Sequence, residues 1–311
     1  MRIRSPNSAF PEPRRGTGGR RGQAGQRSAV QVEKLAGPLR ERLHEWRRKG
    51  DHVALVPTMG NLHEGHLSLV SLAREHAERI VVSVFVNPTQ FEPGADFENY
   101  PRTIATDKRK LKRANADLLF VPEVETMYPF GIEGATLVSV PRYRDELCGA
   151  FRPGHFDGVT SVVSRLFGLV SPDVAVFGQK DYQQQLVIRR MVEDLHWPIK
   201  IVTGETVREE SGLACSSRNQ YLSAQEREVA PALYSVLQQV ARDLQSGGRD
   251  FPGLEGRAME ALSRHGFAPE YVSIRRAVNL EPPDRDTDAL VVLAAARLGN
   301  ARLIDNLVVE V

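Results

Sequence analysis

Five apolar runs, residues 53–56, 80–86, 117–121, 173–177 and 199–202, recur along the chain with one stretch of helical spacing between each pair. Their density of Val, Ile and Phe marks strands buried on both faces, and residues 62–78, 106–115, 158–170 and 182–195 supply the intervening helices. A helix between two buried strands returns the second parallel to the first, so the expected fold class is α/β, a Rossmann-like parallel sheet with helices on both faces. In such sheets ligands collect in the loops beyond the carboxyl ends of the strands.

The pattern changes near residue 205. The segment VREESGLACSSRNQYL (207–222) is polar and too long for a simple turn. Beyond it, helical spacing at 224–244 and 254–265 precedes strand-like runs at 271–275, 290–296 and 302–309. The expected organisation is a nucleotide-binding domain over residues 30–205, followed by a smaller α+β domain over 206–311. A helix at 35–48 and a short strand at 136–140 complete the reading.

The chain has 311 residues, 41% of them hydrophobic, enough to bury a substantial core. Its net charge of +2 hides an asymmetry. Seven arginines and one glutamate give residues 1–29 a charge of +6, which leaves the remainder acidic. That leader is rich in Gly, Pro, Ser and Arg with little to bury, so disorder is expected, and it lacks the apolar core of a secretory signal. A passive or misassigned start is the simplest reading of it, ahead of a nucleic-acid-binding arm or a targeting leader. Cys148 and Cys215 belong to no metal-binding pattern, which points to a reducing cytoplasm. No apolar run reaches the ~18 residues of a membrane span.

Three loops carry the chemistry. In VALVPTMGNLHEGHLSLV (53–70) a strand meets Pro57, Gly60 and Asn61 and then an amphipathic helix, with His63 and His66 on one face of its first turn. The N–H groups and dipole of a helix start suit an anion such as a nucleotide phosphate. Phosphate contact is the favoured role for the pair, with solvent-exposed filler and metal binding as alternatives; the zinc-protease spacing is not met. Gly178-Gln179-Lys180-Asp181 follows a second strand and offers a flexible backbone with a point charge, although alone it reads more readily as a capped turn with a surface lysine. Ser216-Ser217-Arg218 adds hydroxyls and a guanidinium. Converging cations of this kind stabilise charge on a transferring phosphate. Without a nucleophile elbow, a Cys–His pair or a Walker loop, the implied chemistry is in-line transfer by positioning and electrostatics.

With these residues in view the chain resembles the pantoate–β-alanine ligase (pantothenate synthetase) family, nucleotidyltransferases with a His-X-Gly-His signature. The resemblance rests on PTMGNLHEGH (57–66), FVNPTQF (85–91), YPRT (100–103), RPGHFDGV (152–159), FGQKDYQQ (177–184), SSRNQYL (216–222) and ARLIDN (301–306), in the family's order. It implies a two-step ATP-dependent ligase. The carboxylate of pantoate attacks the α-phosphate of ATP with Mg²⁺ assistance, and the amine of β-alanine then attacks the acyl adenylate and releases AMP. It further implies that Met59, Gly60, Asn61, Leu62, His63, Glu64, Gly65 and His66 hold ATP, with His66 as proton donor, together with Gly178, Gln179, Lys180, Asp181, Val207, Cys215, Ser216, Ser217 and Arg218. Catalytic roles fall to His63, His66, Lys180 and Arg218, pantoate binding to Gln90 and Gln184, β-alanine binding to Gln90, and a magnesium ligand to Asp107. A cytoplasmic homodimer is implied, with no membrane or nucleic-acid partner. Three positions depart from the family pattern: Thr106 replaces a frequent acidic residue before Asp107, Gln179 a frequent Glu, and Cys215 a usual Met or Leu. The nearest rival is a sister nucleotidyltransferase that transfers a nucleotide to a phosphate-bearing acceptor and stops there.

Overall fold

The computed structural model describes residues 30–91, 97 and 100–311, so the expected disorder of residues 1–29 and most of the polar loop after Gln90 lie outside the described residues. The first half comprises β1 (Gln31–Glu33), α1 (Ala36–Arg48), β2 (Val53–Thr58), α2 (Glu64–Arg74), β3 (Arg79–Val84), α3 (Ile104–Arg113) and β4 (Leu118–Phe120). After single helical turns it continues with α4 (His155–Val170), β5 (Val174–Gly178), α5 (Tyr182–Asp194) and β6 (Lys200–Gly204). The six strands form one parallel sheet in the order β1-β4-β3-β2-β5-β6.

Strand alternation explains why helices cover both faces. Leu55, Val81 and Phe120 pack with Leu39 of α1, Val162 of α4 and Ile188 of α5, whereas Ala54, Val56 and Val82 pack with Val70 of α2 and Leu111 of α3.

The second half holds α6 (Ala224–Val229), α7 (Ala232–Gln245), α8 (Phe251–Arg264) and an antiparallel sheet of β7 (Ala268–Arg276), β8 (Ala289–Leu298) and β9 (Ala301–Glu310). In β8, Leu290 and Val292 pack with Leu237 of α7 and Leu262 of α8, while Val291 and Leu293 belong to the core of the parallel sheet's helices. Both faces of β8 are therefore covered. That is why its run of seven buried residues shows no polar alternation.

Some expectations change. Residues 136–140 form no strand, because the backbone of Val138 bonds side chains of α4: its N–H donates to Ser161 Oγ (3.0 Å) and its carbonyl accepts from Thr160 Oγ1 (2.5 Å). The expected single helix over 224–244 is two, broken where Pro231 supplies no N–H. At the sheet edge, β1 has only three residues and no apolar run to announce it.

Candidate active site

The strand order reverses direction between β2 and β5, where a parallel sheet opens a crevice at its carboxyl edge. Pro57 reinforces the opening: β2 pairs with β5 only at Ala54 and Leu55, and the proline falls where the strands have parted. A cleft of about 200 Å³ lies there, reached by residues from the ends of β2, β3, β5 and β6 and from the 215–218 segment.

One wall is the histidine turn. Gly60 (φ +85°) and Asn61 (φ +49°) reverse the chain through left-handed conformations, and His63 sits extended at the helix N-cap with His66 three residues on. The imidazole centroids are 4.0 Å apart. Gly65 makes this approach possible, since a Cβ there would stand 3.0 Å from His63 Cε1. The backbone N–H of His63 donates to His66 Nδ1 (3.3 Å), so a neutral His66 carries its proton on Nε2. Burial and the nearby Lys180 lower the pKa of His63 to about 4. Burial, then His63 and Lys180, hold His66 well below its ordinary value. Both are neutral hydrogen-bond donors at pH 7, and His66 offers its Nε2–H.

A second wall carries Gln90. Its Oε1 accepts from Asn87 Nδ2 (3.2 Å), which turns Nε2 toward Met59 Sδ (2.9 Å) and the cleft. Its carbonyl accepts from Arg152 (3.2 Å) and from His155 Nδ1 (3.0 Å). Burial and Arg152 push His155 down to about 3, consistent with a neutral ring that donates from Nδ1. Gly158 lets α4 close on this loop, for a Cβ there would lie 2.4 Å from the Thr89 carbonyl oxygen. The same cleft is lined by Gln184 and by an apolar surface of Val159, Val162, Leu166 and Phe177.

The third wall joins the two halves. Lys180 and Asp181 stand on a tight turn whose carbonyls at 179 and 180 accept from Asn306 Nδ2 (2.9 Å each). The 207–222 segment is a small hairpin: Cys215 N–H donates to the Val207 carbonyl, and Arg208 forms a bidentate pair with buried Asp305 (2.6 and 2.9 Å). Ser216 then caps a turn that carries Arg218, and Ser217 Oγ donates to the Asn61 carbonyl (3.1 Å). A side chamber shares Lys180, Gln184 and Arg218 with the cleft and adds Arg152, His155 and Arg302.

Of the residues expected to bind ATP, Met59, His63, Gly65, His66, Gly178, Lys180, Asp181, Val207, Cys215, Ser216, Ser217 and Arg218 line this cleft, as do Gln90 and Gln184. Gly60, Asn61, Leu62, Glu64 and Gln179 do not: Leu62 is 1% exposed, and Glu64 faces solvent. Asp107 does not line the cleft either. It is fully buried, away from the cleft, and its carboxylate accepts from Leu62 N (2.9 Å), Asn61 N (3.1 Å) and Thr103 Oγ1 (3.1 Å). Those three donors balance the charge of a carboxylate that is fully enclosed, a setting that suits hydrogen bonding to the turn better than a shared magnesium ion, and no cluster of three metal-binding side chains occurs among the described residues. Sequence reasoning gave no role to Asn87, which orients Gln90, or to Glu205 and Thr206, which line the cleft after β6.

A family profile described as pantoate-beta-alanine ligase matches residues 31–308. The chain is 52% identical over 273 residues to pantothenate synthetase from Azotobacter vinelandii, covering 88% of this chain and 96% of that one. With the Stutzerimonas stutzeri enzyme it shares 52% over 281 residues, 90% and 98% of the two chains. Among solved structures it is similar to pantothenate synthetase from Thermus thermophilus (TM-score 0.83, 45% identity, 89% and 99% covered). It is also similar to a Francisella tularensis pantoate-beta-alanine ligase complexed with beta-gamma ATP and beta-alanine (TM-score 0.72, 30% identity, 90% and 97% covered). The chain belongs to the pantoate–β-alanine ligase family, enzymes that join pantoate to β-alanine in an ATP-dependent amide-forming reaction.

Proposed function

We propose that both steps of that reaction take place in the cleft between β2 and β5, by positioning and electrostatics without a covalent enzyme intermediate. ATP lies with its phosphates against His63, His66, Lys180 and Arg218 and its nucleoside toward Gly178, Asp181, Val207 and the 215–217 segment. Pantoate lies between Gln90 and Gln184. Its two methyl groups suit the apolar surface of Val162, Leu166 and Phe177, while the amides orient its polar end.

In the first step a carboxylate oxygen of pantoate forms a bond to the α-phosphorus as the bond to the bridging oxygen breaks, and pyrophosphate leaves. Neutral imidazoles and the two cations stabilise charge on the equatorial and leaving oxygens. The attacking carboxylate needs no base. In the second step the amine of β-alanine adds to the acyl carbon, loses a proton, and expels AMP with the oxygen that came from pantoate. Arg152 and Arg302 in the side chamber suit the carboxylate of the incoming amino acid, next to Gln90. Magnesium would be carried on the phosphates of ATP, where it would offset their charge; no group of three metal-binding side chains occurs among the described residues.

The observation that carries this reading is the arrangement on one cleft of two neutral amides, an apolar wall, a neutral histidine pair and two cations, drawn from five separate segments of the chain. We further propose a division near residue 205, a homodimer and a cytoplasmic location; no helix among the described residues is long and apolar enough to cross a membrane. The test is pyrophosphate release from ATP on adding pantoate alone, followed by AMP release on adding β-alanine. Release that ignores pantoate, or that needs a phosphate-bearing acceptor, would favour the sister nucleotidyltransferase chemistry.

A further inference from the structure

We propose that Asp107 and Lys110 form a brace on α3 that fixes the turn at residues 60–62, and that they act as positioning residues for adenylation, with Asp107 serving no metal. The turn needs such support. It places two residues in succession in the left-handed region, and Asn61 has no glycine's freedom to be there. Asp107 accepts the N–H groups of Asn61 and Leu62, and Lys110, one helical turn further on, donates its ammonium to the Leu62 carbonyl. Donors and acceptors of the turn are thus gripped by partners of both charges on one helix face. Gly60 permits the close fit, since a Cβ there would lie 2.9 Å from Val84 Cγ1 and 3.4 Å from Asp107 Oδ2.

What the brace holds lies on either side of it. Next in the chain is His63, whose N–H orients the His66 ring. On the other flank Asn61 accepts from Ser217 Oγ and donates to Gln220 Oε1 (3.3 Å), so its two bonds bracket Arg218. One turn therefore registers the histidine pair against the arginine across the cleft. Lys110 also helps to keep both histidines neutral, beside the larger effects of burial and Lys180 and, at His63, against Asp181.

The inference rests on the adenylation chemistry proposed above, but the brace can be tested apart from it. In the free protein, Asp107→Asn is expected to speed hydrogen exchange of the Asn61 and Leu62 amides by about tenfold or more. In kinetics, Asp107→Asn and Lys110→Met are expected to lower the rate of adenylation by about tenfold while the KM for pantoate stays within about twofold. Lys110→Arg retains most activity, and half-saturation by Mg²⁺ does not move in any variant. Unchanged amide exchange in Asp107→Asn overturns the brace. A several-fold rise in Mg²⁺ half-saturation, with activity restored by excess Mg²⁺, overturns it in favour of a metal ligand. Should Asp107→Asn fail to fold, Lys110→Met decides: wild-type exchange at Asn61 and Leu62 with a wild-type adenylation rate sinks the proposal.

Discussion

Replacing Gly158 by Ala tests how closely catalysis depends on the Gln90 loop. The added Cβ would lie 2.4 Å from the Thr89 carbonyl oxygen, 2.7 Å from its carbon and 2.9 Å from Gln90 Cα, all of them backbone atoms that no rotamer change can move. Ordinary contact begins near 3.4 Å, so the loop must retreat from α4 by about 1 Å. That motion carries the Gln90 side-chain amide away from Asn87 and its backbone carbonyl away from Arg152 and His155. A misplacement of this size costs about 100-fold in rate, equivalent to about 2.7 kcal/mol in kcat/KM for pantoate. Stability should change less, because overpacking of about 1–3 kcal/mol is offset by about 1 kcal/mol of helix propensity gained on losing a glycine. ATP affinity should stay within about twofold, since His63, His66 and Lys180 stand on other elements. Gly168→Ala, on the same helix with nothing within 4 Å of the added Cβ, serves as the control and should be neutral or slightly stabilising. The assay is pyrophosphate release at varied pantoate, with urea unfolding alongside. A wild-type kcat/KM for pantoate in Gly158→Ala would refute the reasoning.

Three further outcomes are expected. Gln90→Lys should slow adenylate formation even at saturating pantoate, because an ammonium withdraws charge from the attacking carboxylate where a neutral amide does not; faster single-turnover adenylation would show the reverse. Replacing His66 by Asn should reduce adenylation by about 10²–10³-fold with a small loss of stability, and a fall in melting temperature matching the loss of activity would make the residue structural instead. His63 and His155 titrate near 4 and 3 in the fold against 6.5 unfolded, so the unfolded chain binds more protons between those values. Stability is therefore complete above about pH 6.5 and falls as pH drops toward 4; urea midpoints equal at pH 7.5 and pH 5 would contradict this.

Long-range patterns were the legible part of this protein. Dense β-branched runs located five of the six parallel strands, since burial on both faces leaves no polar residue to blur them. Edge strand β1 escaped because three half-buried residues carry no such signal. His63, His66, Lys180 and Arg218 could be picked out because donor-rich loops after strands are where an α/β sheet gathers ligands. The surroundings of Asp107 were illegible for a physical reason. An acidic residue in sequence does not disclose whether its oxygens meet a cation or backbone N–H groups, and here tertiary contact with residues 61 and 62 decides. Asn87 and Gly158 were illegible for a related reason, as their value lies in contacts between segments far apart in the chain.

The central claim, that pantoate's own carboxylate takes up the α-phosphate as a mixed anhydride, is tested most directly by isotope transfer. Pantoate labelled with ¹⁸O in both carboxylate oxygens should give AMP bearing a single labelled phosphate oxygen, with the other label retained in the amide carbonyl of the product. Unlabelled AMP formed alongside labelled product would contradict the account, since the α-phosphate would then have been transferred to some other acceptor.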